Sequence, residues 1–296
     1  MRTLDKSGSV WGTMTPLKGK SWVYERIFLK SDDSSDISCM FMSWEDNPFL
    51  QPSEIKKMQG VLSCDALESR QHGRFMDGTG LVFTEFDDEN VIDPFEIPQA
   101  WFRMVSIDPG FTNPCAVLWI AVDPDESVYV IADYSVAEQT VEVHSREIKR
   151  ISERLGFENR AIIDSAALAR TLGSAESVVE QFERHGIKID TKVNKEVFGG
   201  IMRVKALFKN ANSVRKLFVF RNCIHLIKEL RTYWWGQNEK PVKKNDHCID
   251  ALRYFVSTLY ENANYRDTVQ ARIQSRAKPS VLTNNKRKLI RESRIV

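Results

Sequence analysis

Three apolar runs joined by two tight turns constrain this chain more than any other feature. Phe102 to Ile107, Cys115 to Val122 and Val128 to Ala132 are separated by Asp108-Pro109-Gly110 and Asp123-Pro124-Asp125. Apolar runs of this length with turn residues between them predict an antiparallel meander, because such short links leave no room for a crossover. Asp108 falls where the first strand meets its turn. An Asp before Pro-Gly is also ordinary turn chemistry, so this stretch alone leaves the role of Asp108 open.

Past the meander the apolar spacing alternates between helical and extended. Val141 to Leu155 carries apolar residues at 141, 148, 151 and 155, the pattern of a surface helix lying on a sheet. Arg160 to Ile163 reads as a buried strand ending at Asp164, Ala175 to Phe182 as a helix, and Ile187 to Ile189 and Leu217 to Phe220 as short strands. Helices are expected at Ile201 to Phe208, Ile224 to Tyr233 and Asp246 to Tyr260. The order predicts a mixed α/β layer fold, with ligands collecting at the C-terminal ends of strands. Asp108 and Asp164 both lie at such ends.

The first 75 residues show no complete domain. Val10 to Met14 and Ser38 to Trp44 read as short strands, while Lys20 to Leu29 and Ser53 to Leu67 have helical character. Gly19-Lys20-Ser21 is no phosphate loop, since Met14 stands where that loop needs its first glycine. The stretch 73–98, with an acidic cluster and two prolines, reads as a linker packed on its neighbours.

At 296 residues the chain can hold one large or two ordinary domains. Lys+Arg 42 against Asp+Glu 40 does not by itself mark a nucleic-acid binder. From Arg266 onward, however, nine Lys or Arg face only Asp267 and Glu292, a basic tail. The five cysteines, 39, 64, 115, 223 and 248, form no CxxC pair, which argues against a zinc knuckle or a disulfide framework and for free thiols in a reducing compartment. With neither a long apolar run nor an apolar signal core, a soluble, intracellular protein is expected.

A third carboxylate stands out in NDHCIDALRYF, residues 245–255. Asp246 and Asp250 are four apart on one helical face, His247 and Asp250 three apart. Ala251, Leu252 and Phe255 surround Asp250 with apolar groups, and an ionised carboxylate near a core must be paired or metal-bound. Three aspartates at one point repel each other. A pair of hard divalent cations offsets that repulsion and suits in-line phosphoryl displacement. Separate structural aspartates are the alternative.

SIDPG at 106–110, AIIDS at 161–165 and NDHCIDALRYF at 245–255 are similar, in order, to the three acidic motifs of the large terminase subunit of tailed double-stranded DNA phages. The resemblance covers roughly Trp101 to Glu261. It implies a ribonuclease H-like nuclease domain, a mixed sheet flanked by helices, preceded by a partial α/β motor segment. It further implies Asp108, Asp164 and Asp250 as catalytic acids holding two Mg²⁺ or Mn²⁺ ions, with Asp246 and His247 as nearby ligand candidates. The implied activity is metal-dependent endonucleolytic cutting of concatemeric viral DNA during genome packaging in the host cytoplasm, with double-stranded DNA, a portal protein and a small terminase subunit as partners.

Gly12 to Pro16, Gly19 to Tyr24, Trp44 to Pro48 and Gly73 to Phe83 resemble the last part of the terminase motor and its connection to the nuclease. The expected division is therefore 1–75 motor remnant, 76–98 linker, 99–265 nuclease and 266–296 basic tail. Without the motor's phosphate-binding loop, ATP hydrolysis is not expected of this chain alone. Arg170, Lys192, Lys195, Arg203 and Lys205, in or near loops facing the site, are candidate DNA contacts. Thr191 to Gly200 is read as a loop beside the cleft whose Gly-Gly pair could flex, and Tyr233-Trp234-Trp235 as either packing or a base-stacking platform. Two further readings stand beside the nuclease: a non-catalytic DNA- or portal-binding packaging module, and another ribonuclease H-like polynucleotidyl transferase.

Overall fold

The computed structural model describes residues 10–16, 23–31, 36–75, 80–170, 175–193, 196–236 and 240–261. The segment Gly19-Lys20-Ser21, Lys195 and the basic tail lie outside them.

The expected meander is present as β2 (Phe102–Asp108), β3 (Cys115–Val122) and β4 (Val128–Val136), antiparallel throughout, with Asp108 opposite Ala116. With β1 (Val91–Ile92), β5 (Arg160–Ile163), β6 (Lys188–Asp190) and β7 (Leu217–Phe220) they form one seven-stranded sheet in the order β1-β7-β4-β3-β2-β5-β6. β5 runs parallel to β2, and β7 parallel to β4. All eight residues of β3, CAVLWIAV, are buried, as expected of a central strand covered on both faces.

The helices are α1 (Leu29–Ser31, continuing a π-helical turn at Tyr24–Phe28), α2 (Pro52–Gln59), α3 (Cys64–Gln71), α4 (Val141–Leu155), α5 (Val178–Arg184), α6 (Val197–Phe208), α7 (Ile224–Thr232) and α8 (His247–Glu261). The two faces of the sheet can be told apart by single hydrogen bonds. Trp119 Nε1 donates to Ser152 Oγ on α4 at 2.9 Å, and Ser106 Oγ donates to the Ala251 carbonyl of α8 at 2.6 Å. Because strand side chains alternate faces, Asp108 shares the α8 face with Ser106.

Several expectations are corrected. Ser38 to Trp44 forms no strand and Val10 to Met14 is irregular, while the helical character read over 53–67 is met by two helices separated after Gln59. The stretch after Gly80, expected to pack on its neighbours, does so, contributing edge strand β1 and the buried Val82, Phe83 and Asn90. Asn90 Nδ2 donates to the carbonyls of Phe208 and Leu217, stitching that segment into the sheet's rim. The Gly199-Gly200 pair is not a flexing loop. Both lie inside α6, which Glu196 caps by accepting from Phe198 N and Gly199 N.

Candidate active site

The register of two strands brings the first two aspartates together. Ser106 pairs with Ile162 and Ile107 with Ile163, so the residues that follow, Asp108 and Asp164, leave adjacent parallel strands side by side. Gly110 makes the turn after Asp108 possible: a Cβ there would lie 2.6 Å from the Pro114 carbonyl oxygen. Asp164 ends its strand by capping the short helix that follows, its Oδ1 accepting from Ala166 N at 2.9 Å.

Helix α8 supplies the rest. Asn245, with φ 53°, turns the chain into it, a left-handed conformation that Asn tolerates. His247 Nδ1 lies 3.0 Å from Asp108 Oδ2, and the Tyr254 hydroxyl is 3.3 Å from Asp108 Oδ1 and 3.4 Å from Asp164 Oδ2. Arg253 forks onto Asp250, with Nε and Nη2 donating to the same Oδ1 at 3.1 and 2.9 Å. Glu229 of α7 accepts from Ile249 N at 3.1 Å, which fixes the start of α8.

The electrostatics are those of crowded acids. Burial, aided by the charge of Asp250 and opposed by the His247 hydrogen bond, holds the Asp108 carboxyl above the usual carboxylate range. Burial and Asp250 raise Asp246 likewise. The hydrogen bond to Asp108 raises His247, which favours the imidazolium and an Nδ1–H donated to the carboxylate. Burial pushes Glu229 up to about 7.

Asp108 and Asp164 thus lie side by side at one end of the sheet, with His247 on Asp108, Asp250 on α8 near enough for its charge to raise Asp108, and Asp246 half-buried one turn before Asp250. Among the described residues, no three His, Cys, Asp or Glu approach closely enough to make a ready-made metal cage. In this arrangement Arg253 engages Asp250, and the Tyr254 hydroxyl lies between the other two. The donor set still fits a hard divalent cation, being made of carboxylate oxygens, of which Asp108 is raised by burial and by the neighbouring charge of Asp250.

The candidate DNA contacts are scattered. Lys205 departs from expectation: at 1% exposure its ammonium is 3.4 Å from the buried Glu85 carboxylate, so it faces the interior. Arg170 is exposed but bonded to Glu180 at 2.5 Å, Lys192 is exposed, and Arg203 is partly buried on α6. Of the aromatic triplet, Tyr233 is buried and stacks on Phe83, Trp235 packs near Phe198, and only Trp234 is exposed. Sequence reasoning missed Ser106, Arg253, Tyr254 and Glu229. The first three lie inside the quoted motifs, but nothing in their spacing distinguishes them from core or helix-face residues.

A mixed sheet of this strand order, with acids at the ends of β2 and β5 and a third on the covering helix, defines a ribonuclease H-like protein. The chain belongs to the terminase RNaseH-like domain family, which matches residues 105–259, more than half of its length. It is 27% identical over 278 residues to the large terminase subunit of Escherichia phage T5, covering 87% of this chain and 60% of that protein. To the large terminase subunit of Salmonella phage P22 it is 24% identical over 249 residues, covering 82% of this chain and 48% of the relative. The chain therefore spans only about half to three-fifths of the curated relatives it matches.

Solved structures agree on the fold. A large terminase from a thermophilic bacteriophage superposes with a TM-score of 0.64 at 21% identity, over 80% of this chain and 58% of the other. The P22 large terminase nuclease domain does so with a TM-score of 0.53 at 22% identity, over 64% of this chain and 97% of that one.

Proposed function

We propose that this chain is a divalent-metal-dependent DNA endonuclease that cuts concatemeric viral DNA during genome packaging. The observation that carries the reading is the convergence of Asp108, Asp164 and Asp250 from two strand ends and a helix onto one face. When bound, two Mg²⁺ or Mn²⁺ ions would supply charge neutralisation at the scissile phosphate and a more acidic attacking water. Asp108, Asp164 and Asp250 would hold them. Arg253 meets Asp250 through Oδ1. His247 orients Asp108, and the half-buried Asp246 adds negative potential at the start of α8. Exposed Lys192 and Arg170, with Lys195 and Arg203 nearby in sequence, would contact phosphates and give salt-sensitive, weakly sequence-specific binding.

On the family's pattern, residues before about 76 would be the end of a motor domain, and a portal protein and a small terminase subunit would be partners in the host cytoplasm. The test is plasmid cleavage by the purified chain with Mg²⁺, Mn²⁺ or EDTA. Cutting is expected with either metal and not with EDTA, and Asp108→Asn and Asp250→Asn should each lose about 100-fold or more. Wild-type protein that is folded yet inert with both metals would favour the reading as a binding module, for which the pairing of Asp250 with Arg253 is the supporting observation.

A further inference from the structure

Two consecutive side chains of α8 touch all three acids, and neither is itself an acid or a metal ligand of the usual kind. The Tyr254 hydroxyl reaches Asp108 Oδ1 and Asp164 Oδ2 at 3.3 and 3.4 Å. Its single proton is shared between two carboxylates that would otherwise repel each other across the gap between β2 and β5. Arg253, one residue earlier, grips Asp250 through a two-nitrogen fork and lies with its guanidinium carbon 4.8 Å from the centroid of the Tyr254 ring. Its side chain is 4% exposed, so it cannot reach across open solvent to a nucleic acid.

The seat for Arg253 is built by a second helix. At Gly200 of α6, a Cβ would lie 2.6 Å from Arg253 Cγ and 2.8 Å from its Cδ, so the glycine makes room for the arginine's stem. Arg253 Nη1 also donates to the Glu196 carbonyl at 3.4 Å, just before α6 begins. Gly200 thus has a purpose unrelated to flexing. It allows α6 to come close enough to fix the group that fixes Asp250.

We propose that Arg253 and Tyr254 are positioning residues that hold Asp108, Asp164 and Asp250 converged before a cation arrives, with Gly200 as the seat of Arg253. The inference rests on the nuclease reading above. Cation affinity then depends on side chains that never touch the cation. Groups that orient metal ligands contribute about 10- to 100-fold to affinity or activity. Tyr254→Phe keeps the ring and removes the shared donor. Arg253→Lys keeps the charge and removes the fork, which a point-charge ammonium cannot reproduce.

The experiment is a Mn²⁺ titration of the metal-free chain followed by electron paramagnetic resonance, with plasmid cleavage kinetics on the same samples and a thermal melt to establish the folded fraction. Each variant is expected to need about 10-fold more Mn²⁺ for half-occupancy and to lose kcat at saturating DNA, with KM for DNA unchanged. Gly200→Ala should shift Mn²⁺ occupancy in the same direction. A merely structural role would lower the melting point and leave the Mn²⁺ affinity of the folded protein as in wild type, and that result overturns the proposal. Wild type that neither binds Mn²⁺ nor cuts would overturn the nuclease reading and this inference together, whereas wild type that does both alongside unaffected variants would overturn this inference alone.

Discussion

The chain carries two clusters of acids that look alike in sequence and differ in structure. In the stretch 87–93, Asp87 and Glu89 are bonded to Arg215, Asp88 to Arg231 and Asp93 to Arg221. At Asp87, burial pulls upward, but the Arg215 hydrogen bond, the Glu89 N–H and the positive charge of Arg215 together outweigh it, and the carboxyl ends below its ordinary value. At the other cluster, Asp108 and Asp246 are raised by burial and by Asp250, and Arg253 engages only Asp250. In the first cluster every acid has an arginine, three arginines serving four acids, whereas in the second the described ion pairs are His247 on Asp108 and Arg253 on Asp250. A cluster with fewer cations than acids stores repulsion that a bound metal can relieve.

The matched cluster is the place for the largest effect on stability. Arg215 is the hub, donating also to Asn90 Oδ1 at 2.7 Å, and Asn90 is fully buried. Arg215→Ala is expected to cost about 3 kcal/mol, because it removes a largely buried guanidinium together with its bonds to Asp87, Glu89 and Asn90. That corresponds to a melting point lower by roughly 10 °C. Cleavage per folded molecule should stay at the wild-type level. A variant that melts normally but cuts poorly would erase the distinction between the clusters.

The unmatched side is sharpened by pH. Glu229, buried behind α8 and raised from 4.5 to about 7, binds its proton more tightly in the folded chain than in the unfolded one. Stability should therefore be highest on the acid side and be lost as pH rises from about 4.5 to 7. Glu229→Gln, which can still accept from Ile249 N, escapes that loss. In EDTA it should match wild type near pH 5 and exceed it by about 2 kcal/mol at pH 8. A difference that does not change with pH would mean Glu229 is compensated after all. The smallest effect belongs to the Arg221–Asp93 pair, whose side chains are 64% and 82% exposed. Arg221→Ala should leave the midpoint of chemical denaturation unchanged.

Much of this was legible in the residues themselves. Asp108 and Asp164 each end an apolar run, and the meander follows from turn chemistry at Asp108-Pro109-Gly110 and Asp123-Pro124-Asp125. What escaped detection depends on partners distant in sequence. Lys205 looks like any surface lysine on a helix until Glu85 is placed beside it, and Glu85 comes from a stretch whose composition suggests a linker. Gly199-Gly200 looks mobile until Arg253 is seen to need the space. Ser38 to Trp44 has strand-forming residues, but Met40, Phe41 and Met42 remain exposed and pair with no strand among the described residues.

The third acid sits on the last helix described, while its two companions lie on strands near the middle of the chain. A ribosome making this protein therefore releases Asp108 and Asp164 well before Asp250, His247, Arg253 and Tyr254 have left the exit tunnel. An interrupted translation product that stops after β7 would own two of the acids, side by side at their strand ends, and none of the α8 groups that bond to them. Under the nuclease reading, the order of synthesis becomes a safeguard: a partly made chain is harmless to the DNA around it.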